Sequence, residues 1–288
     1  MREGTIRLAD GRVLGYGEKG AADGSTVLYF HGMPGSRHLS MDPAAVSASG
    51  VRLITVKRPG YGLSDPKPGR TLADFATDVA ELADKLGLER FAVAGASAGA
   101  PYALAVGLGL PSNVTSVVLI CGLGPTFDHP EFDDQLNERT RPLMPLVRQN
   151  LQGATDLVRE VLAGERARYL ADPDGFWEAW LDGWTDADAA MFRKEEDMWQ
   201  ACLQATYLRE DTQATDIMLD VGPSNLDLGA MQVPVRAWHG TADAVAPLGL
   251  TEIAVSRAGG TLVALDGEPH LINRQYHQAM LDWAADPT

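Results

Sequence analysis

The sequence predicts an α/β protein: a mainly parallel, eight-stranded sheet with helices on both faces, interrupted by one long helical insertion. Three observations predict it. Short apolar runs recur at 27–30, 51–56, from 91, and at 117–121, 233–238 and 261–265, each reading as a strand buried on both faces. Stretches of helical periodicity lie between most of them, the rhythm of a parallel sheet covered by helices. The run from Phe91 ends in Gly95-Ala96-Ser97-Ala98-Gly99, a serine between two glycines where strand gives way to helix.

Taken in order, the chain opens with two antiparallel strands. Thr5 to Leu8 and Arg12 to Tyr16 alternate about Asp10-Gly11, a hairpin signal. Val27-Leu28-Tyr29-Phe30 follows and ends in His31-Gly32-Met33-Pro34-Gly35-Ser36. A crossover helix is expected over 37–49, then a strand closing at Arg58-Pro59-Gly60-Tyr61-Gly62. The next helix runs from about Thr71 to Leu86. Asp74 stands three residues after Thr71 as in a capping box, with Asp in place of the preferred Glu or Gln. Leu72, Phe75, Val79, Leu82 and Leu86 share one face, and Gly87 stops the helix. The serine turn, a helix to about Leu110 and the strand at 117–121 complete the first half.

After Gly122-Leu123-Gly124-Pro125 the alternation stops for about 100 residues of helical periodicity. It resumes with the strand at 233–238, a helix near 248–257, the strand at 261–265 and a last helix from about Leu271. The expected organisation is therefore a core of residues 1–124 and 226–288 and a helical insertion at 125–225.

Composition bounds the function. The net charge of −15 over 288 residues argues against nucleic acid or an anionic membrane as partner. Between Thr126 and Asn225 there are 21 Asp and Glu against 9 Lys and Arg, a shift that itself marks a separate unit. No run approaches the 18 or so apolar residues of a membrane span, and the N-terminus lacks a secretory core. Cys121 and Cys202 make no disulfide framework and no metal-ligand spacing. A cytoplasmic protein, monomer or homodimer, acting on a small molecule without metal or cofactor is the expectation.

A serine hydroxyl needs a base within hydrogen-bond reach and a carboxylate to orient that base. In an open parallel sheet such groups gather at the carboxyl ends of strands. Of six histidines, His270 follows the last strand at a loop-to-helix junction and is the candidate base. His31 and His239 end strands but precede glycines in tight turns. Asp243, in the loop after the preceding strand, is the candidate acid, ahead of Asp128, Asp216 and Asp220. An acyl-transfer oxyanion needs two backbone N–H donors. Ala98, opening the helix after the serine, is one, and Met33 is the other, because Pro34 has no N–H.

With the order Ser97, Asp243, His270 in place, the chain resembles the α/β-hydrolase superfamily, whose Gly-x-Ser-x-Gly elbow and serine–acid–histidine order it carries. The resemblance covers nearly the whole chain and includes His31-Gly32-Met33-Pro34-Gly35, Arg58-Pro59-Gly60-Tyr61-Gly62-Leu63-Ser64, and Trp238-His239-Gly240 with Asp243. It implies a helical cap after the sixth strand, matching the insertion. Small Ala96 departs from the bulkier residue common in relatives. A serine at 97 disfavours the branches that use an aspartate nucleophile. Carboxyl-ester or lactone hydrolysis through an acyl-enzyme is the leading expectation. Amide or aminopeptide cleavage, carbon–carbon hydrolysis, perhydrolysis and a ligand-binding receptor that keeps the triad are the alternatives. Phe176, Trp177, Trp180, Leu181 and Trp184 form an aromatic stripe. Read functionally, Trp177, Trp180 and Trp184 roof a pocket that Gly32 also lines; read structurally, the stripe packs the insertion onto the core.

Overall fold

The computed structural model describes residues 2–35, 40–122, 124–207 and 212–287. Its centre is an eight-stranded sheet in the order β1-β2-β4-β3-β5-β6-β7-β8. β1 (Arg2–Arg7) and β2 (Val13–Gly20) form the expected antiparallel hairpin, with Gly11 at φ 89° in its turn. Both strands outrun the sequence reading. β2 continues to Gly20 because it pairs antiparallel with β4 (Arg52–Val56), a partner that local alternation cannot reveal. From β4 onward, through β3 (Thr26–Phe30), β5 (Phe91–Ala96), β6 (Val114–Ile120), β7 (Val235–Gly240) and β8 (Thr261–Leu265), every pairing is parallel.

The continuous apolar runs are explained by cover on both faces. Along β3, Leu28 and Phe30 enter one core with Phe75 and Val79, while Val27 and Tyr29 enter the other with Val46 and Met280. The first core is roofed by α2 (Leu72–Leu86), α3 (Ala100–Gly109) and α10 (Leu248–Arg257), the second by α1 (Pro43–Ala48) and α11 (His277–Ala285). Each fully buried side chain of this size contributes roughly 1.5–3 kcal/mol. Thr71 and Asp74 form a reciprocal capping box on α2, and Gly87 ends it in the left-handed conformation at φ 65°.

Two helix starts differ from expectation. The crossover helix begins at Pro43, whose fixed φ suits a first helical position; residues 37–39 of the expected span lie outside the described residues. The last helix begins at His277 rather than Leu271, because Asn273 caps a short 3₁₀ turn that precedes it. The strand expected to end at Trp238 also runs on through His239 and Gly240, which pair with Ala264 and Leu265.

Between β6 and β7 the described residues hold no strand. They form α4 (Met144–Gln149), α5 (Leu151–Ala171), α6 (Pro173–Leu181), α7 (Asp186–Lys194), α8 (Glu196–Tyr207) and α9 (Thr212–Val221). Among the described residues no helix is long and apolar enough to cross a membrane. The strand order reverses at β3, which has β4 on one side and β5 on the other. The loops leaving β3 and β5 therefore flank a switch point, where a crevice opens in such sheets.

Candidate active site

Ser97 heads a 3₁₀ turn, Ser97–Gly99, and sits at φ 50°. A non-glycine residue there costs about 1–3 kcal/mol, held in place by its surroundings. The glycines around it are dictated by close approach. A Cβ on Gly95 would overlap the carbonyl oxygen of Gly99, and one on Gly99 would overlap that of Phe30. Gly32 brings the loop after β3 against the serine; a Cβ there would lie 3.1 Å from Ser97 Cβ.

The loops after β7 and β8 are stitched together. Thr241 N–H donates to Leu265 O at 2.9 Å and Ala242 N–H to Glu268 O at 3.0 Å. A side chain at Gly240 would strike the Glu268 carbonyl. This seam brings Asp243 and His270 together. His270 Nδ1 donates to Asp243 Oδ2 at 2.8 Å, and its Nε2 accepts from Ser97 Oγ at 3.0 Å. The other carboxylate oxygen, Oδ1, accepts from the N–H groups of Val245 at 2.8 Å and Ala246 at 2.9 Å. Sequence reasoning missed a further neighbour. His239 Nε2 lies 3.1 Å from Asp243 Oδ2, with its side chain wholly buried.

Burial alone would push His270 down, but the Asp243 carboxylate outweighs it and raises the imidazole above its usual value. Burial likewise opposes ionisation of Asp243, yet His270 and His239 hold it well below the carboxylate range. The result is a buried carboxylate that stays ionised beneath a histidine made more basic. Cys121, His239 and Asp243 have ligand atoms within 4.8 Å of one another. Asp243 is already surrounded by donors, and both ring nitrogens of His239 are engaged, Nε2 with the Ala246 carbonyl at 2.9 Å and Nδ1 with the Thr251 hydroxyl at 2.9 Å. That donor set does not fit a metal ion.

A cavity of about 290 Å³ opens on Ser97 and His270, with Gly32, Met33 and Trp184 among its walls. Met33 thus lines the same cavity as Ser97, and Ala98, buried, follows the serine in its turn. Trp184 is half-buried, its ring 6.2 Å from that of His270. Trp177 and Trp180 require a correction: neither lines the cavity. They stack on each other at 5.6 Å, and Trp180 meets Phe192 edge-on at 4.6 Å, inside the core of the helical segment. Helical spacing shows which face of α6 is apolar but not what covers it. The roof is built instead by Met191, Phe192, Met198 and Trp199 of α7 and α8, which carry no motif.

The other candidate acids make no hydrogen bond to the His270 ring, whose two nitrogens meet Asp243 and Ser97. Asp128 is exposed in a 3₁₀ turn. Asp216 pairs with Arg58 and Arg70. Burial pushes Asp220 up to about 7, and its Oδ1 meets no partner among the described residues.

A family model for the alpha/beta hydrolase fold matches residues 25–248. The chain is 29% identical to a non-heme chloroperoxidase of Streptomyces lividans over 93% of this chain and 92% of that protein. Among solved structures, an esterase from Exiguobacterium antarcticum superposes with a TM-score of 0.67 at 18% identity, covering 97% of this chain and 98% of that one. The enol-lactonase of Burkholderia xenovorans LB400 gives 0.60 at 15% identity, covering 99% and 97%. Both structural likenesses concern the fold.

Proposed function

This chain belongs to the α/β-hydrolase family, and from that premise we propose that it hydrolyses a carboxylic ester or lactone through an acyl-enzyme on Ser97. The observation that carries the reading is the continuous hydrogen-bond chain from Ser97 Oγ through His270 to Asp243. In this mechanism His270 Nε2 takes the hydroxyl proton as Oγ attacks the carbonyl carbon. The tetrahedral oxyanion is met by the N–H groups of Met33 and Ala98. As it collapses, the imidazolium returns the proton to the leaving alkoxide, and water then enters by the same route in reverse. Asp243 holds the Nδ1–H tautomer and stabilises the imidazolium. Residues 125–225 act as a cap, and the apolar roof from α7 and α8 favours a substrate with an apolar acyl or alcohol portion.

Perhydrolysis is a second reading, favoured by the likeness to a chloroperoxidase over 93% of this chain. There hydrogen peroxide would take the place of water on the acyl-enzyme and release a peracid. The test is a panel of p-nitrophenyl esters and lactones, with and without hydrogen peroxide, beside a fluorophosphonate label read by mass spectrometry. Wild type should turn over and carry the label on Ser97; Ser97→Ala should do neither while melting as wild type does. Sustained ester turnover by Ser97→Ala would remove the proposal.

A further inference from the structure

Arg58 follows β4 in the Arg58-Pro59-Gly60-Tyr61-Gly62 motif, and the mechanism above gives it no task. Its side chain is wholly buried, as is that of its partner Asp216 on α9. Taking a guanidinium out of water costs several kcal/mol unless its donors are met by well-placed acceptors. Here Nη1 lies 2.9 Å from Asp216 Oδ2 and donates to the Ala98 carbonyl at 3.3 Å. Nη2 donates to the Gly32 carbonyl at 3.0 Å. The rings of Tyr61 and Tyr102 flank it at 4.9 and 5.0 Å.

The two carbonyls belong to the two segments that present the oxyanion donors. The peptide joining Gly32 to Met33 is trans, so its C=O and N–H point in opposite directions from one rigid plane. Anchoring the Gly32 oxygen therefore aims the Met33 N–H. The same oxygen accepts from His31 Nδ1 at 2.9 Å, and burial beside Arg58 pushes His31 down to about 3, keeping that imidazole neutral. A cation on the carbonyl also polarises the amide and strengthens its N–H as a donor. The Ala98 carbonyl ties the serine turn to the same group. Asp216, in turn, is held by Arg70 and by the Tyr102 hydroxyl. One guanidinium thus clasps the loop after β3, the turn after β5 and a helix of the segment between β6 and β7.

We propose that Arg58 is a positioning residue that aligns the Met33 and Ala98 donors for the oxyanion, and that its pairing with Asp216 couples that alignment to the seating of α9. The proposal rests on the hydrolytic reading above. It predicts a loss felt in the transition state and not in substrate binding.

The experiment compares wild type, Arg58→Lys and Asp216→Asn with a p-nitrophenyl ester, a trifluoromethyl ketone that forms the tetrahedral adduct, and the fluorophosphonate label. A lysine keeps the charge but presents a single ammonium that cannot span both carbonyls. Loss of one oxyanion donor costs about 10²–10³-fold in kcat. Arg58→Lys should therefore lose roughly 10²-fold in kcat with KM little changed, lose ketone affinity in parallel, and keep the acid limb of the pH profile. Asp216→Asn should show the same split to a smaller degree. A folded Arg58→Lys with kcat near wild type, or a kcat loss with ketone affinity intact, would overturn the proposal. If Arg58→Lys does not fold, Asp216→Asn decides by the same two readouts. Wild type that neither labels on Ser97 nor turns over would instead overturn the hydrolytic reading, so the two failures are distinct.

Discussion

Replacing Asp243 by asparagine tests the relay with almost no change of volume. Oδ1 accepts from two backbone N–H groups, of Val245 and Ala246. The amide oxygen must take that side, since an NH₂ there would face two donors. The amide nitrogen then occupies the place of Oδ2, 2.8 Å from His270 Nδ1. An NH₂ cannot accept, so His270 must move its proton to Nε2, which now faces Ser97 Oγ as a donor and no longer as a base. The variant also removes the charge that raises His270 against its burial. Loss of the correct tautomer in this arrangement costs about 10⁴-fold in kcat, or about 5.5 kcal/mol of barrier at about 1.36 kcal/mol per decade. Initial rates on a p-nitrophenyl ester between pH 5.5 and 9, beside a thermal melt, measure it. A variant that melts as wild type does and stays within about tenfold of its neutral-pH rate would refute the relay.

Three further outcomes follow from the structure. The acid limb of kcat/KM should have its midpoint above the usual histidine value of 6.5, because Asp243 raises His270. As the pH falls through that midpoint, protonated Nε2 stops accepting from Ser97 and the rate drops roughly tenfold per pH unit; a midpoint below 6.5 in a pH–rate profile would contradict it. In the helical segment, Trp180→Ala should cost about 3–5 kcal/mol in a denaturant titration, with its main effect on stability. Trp184→Ala should instead shift chain-length preference across an ester series at a smaller stability loss, and the opposite ranking would move the cavity wall from where it is placed here.

Much of the core and of the site could be read from residues alone, for identifiable reasons. Ser97 announces itself because the Gly-x-Ser-x-Gly pattern is contiguous in sequence; Gly95 is required by the Gly99 carbonyl of the same turn, whereas Gly99 is required by the Phe30 carbonyl of β3. Asp243 and His270 could be found because a strand end is a local signal and the sheet does the rest. What needed the structure was always a partner distant in sequence. β2 extends to Gly20 only because β4 lies beside it. The stripe of Trp177 and Trp180 shows an apolar face, whereas Phe192, which it meets, arrives on another helix. Arg58 stands in a recognisable motif, but its role is unreadable until Asp216, far along the chain, is folded against it. His239 was set aside for preceding a glycine in a supposed turn, yet it lies within the extended strand and reaches the carboxylate from there.

The reversal of strand order at β3 has a consequence for how this molecule can change. The segments that carry Gly32 and Ser97 leave neighbouring strands, so their separation is fixed by the hydrogen-bond spacing of a parallel sheet, about 4.8 Å. That gauge is indifferent to what covers it. The helical excursion departs after β6 and returns before β7, on the far side of β5 from β3. Its length and lining can be rewritten without altering the interval between the two loops, provided α9 still delivers a carboxylate to Arg58. On the proposed reading, recognition and reactivity fall to separately variable stretches of one chain, joined by ion pairs that include those of Asp216 with Arg58 and Arg70.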